Sequence, residues 1–147
     1  MSKKIIYHSF FILLIFIQCG KSKEMSKENY VEFAIYSSNW VLTDWTVNGN
    51  SNIISTEKPI TIEFDELNKK ISGSAGCNQY FGNYKLREGV LSTGPLGSTM
   101  MYCTEEIMNQ ETGFLGLFEP GVKISIKNSF LLLENDNNQL KFKPIEK

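Results

Sequence analysis

Histidine is almost absent from this chain of 147 residues, and its single occurrence is His8. That position lies in an apolar leader, so we expect the folded domain to have no histidine. Ser-His and Cys-His nucleophile activation, histidine-ligated catalytic zinc and histidine acid–base chemistry are then excluded. Arginine is equally scarce, and Arg87 is its one occurrence. Bidentate recognition of phosphate or carboxylate therefore has one candidate at most.

Motifs of catalytic and cofactor chemistry are missing too. The sequence has no glycine-rich phosphate loop, no C-x-x-C pair and no aspartate-rich calcium loop. We therefore expect no catalytic residue, metal site or cofactor, and we predict that the domain is not an enzyme. A hydrolase built on Asp44, Asp65 or Glu111 is the enzymatic alternative, although carboxylates of this kind are usually solvated surface groups.

The chain also lacks a long apolar run. Its uncharged run at residues 5–17 has 13 residues and follows two lysines. A membrane-spanning helix needs roughly 20 apolar residues, so the run is more typical of a secretory signal. Cys19 follows it, and a polar stretch begins directly afterwards. This order predicts a lipoprotein signal peptide over residues 1–18, with lipid on Cys19.

The junction departs from the usual lipoprotein signal, because Gln18 occupies the position where a small residue normally precedes the cysteine. Cleavage elsewhere and retention as an uncleaved anchor are the alternatives. Under each of them the domain stays outside the cytoplasm. We expect a lipid-anchored protein of the bacterial cell envelope, in the outer membrane and facing the periplasm.

Length and net charge limit how many domains the rest of the chain can form and which partners it can bind. Removing 18 of 147 residues leaves 129, which suits one domain. The same cut removes two of 15 basic residues and none of 16 acidic ones, so the net charge falls to −3. Such a surface does not favour nucleic acid. We predict a lipidated cysteine and polar tether over residues 19–37 and a monomeric domain over residues 38–147.

Two cysteines remain once Cys19 is assigned to lipid. Cys77 and Cys103 are 26 positions apart, and an even pair in an exported chain favours a disulfide. Two separately buried thiols and a redox pair are the alternatives.

Short apolar alternations dominate from Trp40 onward. In residues 59–65, for example, Ile60, Ile62 and Phe64 share one face of a predicted strand. Turn residues separate further strands of this kind, and one helical pattern follows Thr104, a candidate N-cap. The pattern predicts an α+β fold, mostly antiparallel β, in which one main helix packs on a curled sheet or half-barrel. Ahead of the first strand, residues 30–34 have a weak helical pattern.

Two segments carry a family resemblance. Residues 73–84 read GSAGCNQYFGNY and residues 94–103 read GPLGSTMMYC. Their G-x-x-G-C-N-x-Y-x-G and T-x-M-x-C strings resemble the META/HslJ family of bacterial heat-shock-associated lipoproteins. Beyond the two cysteines, the matching motif positions are Gly73, Gly76, Asn78, Tyr80, Gly82, Thr99 and Met101. Met100 stands where members often carry a basic residue. Glu111 is a further position that resembles the family.

The resemblance implies a compact antiparallel β fold and an accessory role in envelope integrity or stress resistance. We therefore predict a non-enzymatic, membrane-tethered domain that binds another, unidentified envelope protein. The alternative is a carrier of lipid or of a small apolar ligand. In that hypothesis Trp45, Phe114 and Phe118 enclose a pocket inside the half-barrel.

Overall fold

A computed structural model describes residues 26–52 and 58–145. It contains two helices, α1 (Lys27–Ser37) and α2 (Glu105–Gly116). The strands are β1 (Asn39–Val47), β2 (Asn50–Ser51), β3 (Thr61–Asp65), β4 (Lys70–Ser74), β5 (Gln79–Arg87), β6 (Val90–Thr93), β7 (Gly97–Ser98), β8 (Val122–Lys127), β9 (Phe130–Glu134) and β10 (Asn138–Ile145). Neither helix in these described ranges is long and apolar enough to cross a membrane.

Eight of the strands form a closed antiparallel barrel. Their order is β10-β9-β8-β6-β5-β4-β3-β1, and β1 pairs again with β10 to complete the ring. This closing ladder joins eight residue pairs, from Asn39 opposite Ile145 to Val47 opposite Asn138. The short strands β2 and β7 pair outside the ring with β1 and β5.

The predicted half-barrel with one main helix is therefore wrong. The sheet closes, and the fold is mostly β with two short helices. Closure depends on pairing between the first and last strands, which lie about a hundred positions apart in the sequence. Local alternation shows which residues face inward, but it carries no signal for a partner at that separation.

Alternating apolar residues fill the barrel, as their two-residue period requires. Ile62 and Phe64 of β3 are buried while Glu63 between them is exposed. In β1 the register shifts between Leu42 and Asp44. The extra residue of this bulge turns Trp45, rather than Asp44, into the core.

Helix α1 packs across one end of the barrel. Ile35 is fully buried there, and its carbonyl accepts a hydrogen bond from Trp40 Nε1 at 3.2 Å. The hydroxyl groups of Tyr36 and Tyr84 lie 2.7 Å apart, and Lys69 Nζ donates to Tyr36 Oη at 3.0 Å. Burial and the Tyr36 hydrogen bond raise the pKa of Tyr84. Part of the segment predicted as tether is thus held against the barrel.

Helix α2 lies at the opposite end, because its Phe114 contacts Tyr80 near the start of β5, whereas α1 contacts the later part of that strand. Phe114 of α2 is fully buried and makes edge-to-face contacts with Trp45, Tyr80 and Phe118 at centroid separations of 6.5, 5.6 and 5.3 Å. This aromatic cluster joins α2 to the barrel core.

Candidate functional site

A buried carboxylate from α2 holds the turn before β5. Glu111 is 7% exposed and Asn78 is 3% exposed. The backbone N–H of Asn78 donates to Glu111 Oε2 at 2.7 Å, and Asn78 Nδ2 donates to Glu111 Oε1 at 2.9 Å. Both carboxylate oxygens therefore accept a hydrogen bond from one residue. Hydrogen bonds to an ionised acceptor are stronger than those between neutral groups, so this pair fixes α2 to the sheet.

The side-chain amide of Asn78 continues the network to a second segment. Its Oδ1 accepts from Thr99 Oγ1 at 2.8 Å and from the Met101 N–H at 2.7 Å. Its Nδ2 also donates to the Met101 carbonyl at 3.3 Å. Two donors and two acceptor sites are all that a primary amide has. The amide of Asn78 is therefore fully used, and its orientation is determined by its partners.

We call residues 96–103 the pinned loop, because it is held along its length. Its strand β7 pairs with Tyr80 and Phe81 of β5. Thr99 exchanges hydrogen bonds with Gln79, donating from its backbone N–H and accepting at its hydroxyl at 3.0 and 3.1 Å. At the far end of the loop, a disulfide joins Cys103 to Cys77, which confirms the predicted disulfide.

Between these attachments the pinned loop presents apolar side chains to solvent. Met100 is 99% exposed and Tyr102 is 93% exposed, while Met101 is 49% exposed. Phe81 is 58% exposed and lies beside the loop, opposite Gly97. The attached residues 99, 101 and 103 alternate with the outward residues 100 and 102. A rigid backbone thus carries an exposed patch of sulfur and aromatic groups.

The remaining motif positions shape the sheet around this network. Gly76 has a φ of +109°, which side-chain-bearing residues rarely adopt. A Cβ atom at Gly73 would overlap the Thr61 carbonyl. That carbonyl accepts a hydrogen bond from the buried Tyr80 hydroxyl at 3.0 Å. Gly82 lies in β5 under Leu96 of the pinned loop. These residues therefore serve the packing of β4, β5 and the loop.

The other carboxylates of the hydrolase hypothesis, Asp44 and Asp65, do not form a site. Asp44 is exposed on β1, and Asp65 ends β3, where its carboxylate accepts hydrogen bonds from the side chain and backbone of Asn68. Those bonds lower the pKa of Asp65. Within residues 26–52 and 58–145, no three His, Cys, Asp or Glu side chains gather into a metal site. The predicted lipidation site, Cys19, lies outside the described residues.

The aromatic residues of the carrier hypothesis do not surround an open pocket. Trp45, Phe114 and Phe118 are between 0% and 4% exposed, and their rings pack on one another. They fill the core, so the carrier hypothesis loses the pocket on which it was based.

The outward side chains Tyr102 and Phe81 were not singled out from the sequence. For Tyr102 a signal was present, because a two-residue period runs through residues 99–103 and places residues 100 and 102 opposite the motif positions. For Phe81 the sequence shows only an aromatic residue inside a strand, which is more often buried.

Removing the disulfide should loosen the pinned loop and destabilise the fold. We expect Cys103→Ser to lower the free energy of unfolding by about 2 to 4 kcal/mol. Urea unfolding measures the loss, and reduction of the wild-type protein should reproduce it. Reduction of the variant should cause no further loss. Alkylation of two free thiols in the native wild-type protein would contradict the disulfide.

Several solved structures have a similar architecture. A solved NMR structure of a protein from Burkholderia xenovorans is similar over 82% of this chain and 89% of that chain, with 25% identity and a TM-score of 0.68. A second NMR structure matches over 74% of this chain and 90% of that one, at 26% identity and a TM-score of 0.59. A crystal structure of a DUF4847 family protein from Bacteroides vulgatus ATCC 8482 shares the fold, with a TM-score of 0.57 at 13% identity over 80% of this chain and 99% of that one.

No curated protein matches the sequence significantly. The family model for the META domain matches residues 33–147, which include the barrel, the buried carboxylate and the pinned loop. The match extends over most of the chain, and it confirms the resemblance carried by the two motif segments. The chain belongs to the META domain family.

Proposed function

We propose that this protein is a non-enzymatic accessory domain of the bacterial envelope that binds another envelope protein through the pinned loop. Membership of the META domain family supports an accessory role in general terms. The proposed binding surface is argued from the geometry of the loop. The proposed role in envelope integrity or stress resistance follows from the resemblance to the META/HslJ family alone.

The observation that carries the proposal is the exposure of Met100 and Tyr102 on a tightly held backbone. Met100 and Tyr102 are 99% and 93% exposed, although hydrogen bonds and a disulfide hold the loop on both sides of them. Aromatic residues and methionine are enriched in protein interfaces. A loop that is already ordered also loses little conformational entropy on binding.

The position of the loop suits a tethered protein. The chain reaches the barrel through α1, at the end where β5 finishes, whereas the pinned loop lies at the end where β5 begins. Strand β5 has nine residues and extends about 26 Å along its own direction. At the usual tilt of barrel strands, this separates the two ends by about 20 Å along the barrel axis. A lipid at Cys19 would hold the α1 end near the membrane, so that the loop faces away from it.

The anchor can be tested separately from the loop. We expect Cys19→Ser to abolish membrane association while the barrel remains folded, because the lipid would be attached outside the folded domain. Membrane fractionation, together with labelling by a fatty-acid analogue, measures the change. Unchanged fractionation of the variant and an unlabelled wild-type chain would contradict the lipid anchor.

The binding surface can be tested by crosslinking in living cells. A photoreactive phenylalanine analogue at position 100 or 102 should give a discrete crosslinked product with one envelope protein. The matched control is position 67, because Leu67 is also apolar and 92% exposed but lies in the turn between β3 and β4 at the opposite end.

The same surface should be needed for the role in stress resistance. The double variant Met100→Ser/Tyr102→Ser should lose that partner and lower survival under envelope stress, whereas Leu67→Ser should retain both. Equal crosslinking from positions 67 and 102 would show that the loop is not the binding surface.

A further inference from the structure

We propose that the N-terminal half of α1 and the groove beside it dock on the bilayer, and that the groove takes an acyl chain of a membrane phospholipid. This inference rests on the lipid anchor of the proposed function. It adds a second, non-covalent contact with the membrane and an orientation of the barrel on it.

The groove is an apolar channel of about 590 Å³ between α1 and the barrel, a volume within the usual range for small-molecule sites. Its apolar walls are Val31 of α1, Leu86 of β5, and Ile124 and Ile126 of β8. Two charged residues also line it, Lys127 and Glu88. Apolar walls suit an acyl chain. Charges of both signs beside them suit a zwitterionic phospholipid, whose anionic phosphate and cationic amine adjoin the acyl chains.

Helix α1 continues this apolar surface outward. Tyr30 lines the groove and is 47% exposed, and Phe33 is 66% exposed. The two residues are three positions apart on the helix, so they lie on the same face. Amphipathic aromatic side chains are enriched at the level of the lipid headgroups. Exposed aromatic side chains such as Tyr30 and Phe33 can insert among the headgroups and the ends of the acyl chains.

The length of chain before α1 places the bilayer within reach. Helix α1 begins at Lys27, eight positions after Cys19. Even fully extended, eight residues span at most about 28 Å. Since Tyr30 lies in the first turn of the helix, its aromatic group would be held near the membrane surface by the anchor. The high local concentration favours a weak contact that would not form from solution.

Photolabelling in vesicles tests the docking. The full-length lipidated chain is reconstituted into vesicles of phosphatidylethanolamine and phosphatidylglycerol that contain a phospholipid with a diazirine-bearing acyl chain. After illumination, mass spectrometry should find the label on Tyr30, Val31, Leu86 or Ile126. The double variant Tyr30→Ser/Phe33→Ser should reduce this labelling about fivefold.

The control is Leu67→Ser, which removes an apolar side chain that is 92% exposed at the same end of the barrel. It should leave labelling of the groove unchanged. Flotation of the same vesicles reports the anchor independently. Chain that floats with the vesicles but is labelled evenly, or mainly in the pinned loop, overturns the docking alone. Chain that does not float contradicts the anchor, and the docking with it.

Discussion

Replacing Glu111 with glutamine should lower the free energy of unfolding by about 3 kcal/mol. The carboxylate accepts hydrogen bonds from two donors of Asn78 in a buried site. A glutamine side chain has one oxygen and one NH₂ group, so it places a donor against one of those donors. Asn78 cannot rotate its amide to compensate, because its Oδ1 already accepts from Thr99 and Met101.

Urea unfolding measures this loss as a shift of the midpoint at constant slope. Hydrogen exchange at the Met101 amide should accelerate, since that N–H depends on the orientation of Asn78. The matched control is Glu106→Gln, the same change at an exposed position of α2. Its cost should stay below about 1 kcal/mol, the usual size of a helix-terminus charge effect. Equal costs for the two variants would show that the buried carboxylate does not hold the loop.

Truncating Phe114 to alanine should cost about 3 to 5 kcal/mol. The ring is fully buried and contacts three other aromatic rings, so its removal leaves a cavity that rigid neighbours cannot fill. Because Phe114 lies on α2, the variant should also weaken the attachment of that helix. Chemical denaturation measures the stability, and the near-ultraviolet circular dichroism of the aromatic cluster reports its packing.

Phe33→Ala is the control for this truncation, because it makes the same change in a helix at a side chain that is 66% exposed. In solution its effect should stay within about 0.5 kcal/mol. A small loss at Phe114, comparable to that at Phe33, would contradict the assignment of the aromatic cluster as the core contact of α2.

Residue types and spacing were enough to predict part of the site. The two motif segments identify the family, and an even cysteine pair in a chain predicted to be exported favours the disulfide that the structure contains. Asn78 and Thr99 were recognisable as motif positions, but their hydrogen bonds were not. An amide can satisfy itself in a local turn or bond to residues far along the chain, and only the fold determines which partners are present.

The sequence was enough to predict which strand residues face the core, because a strand alternates its side chains with a period of two. The closed barrel could not be predicted from the sequence, because closure is a pairing of β1 with β10 across most of the chain. The docking of Ile35 and the exposure of Phe33 could not be separated either, since α1 carries apolar residues on several sides. Which of these sides is buried depends on the surface that the barrel offers, and that surface exists only after the first and last strands have met.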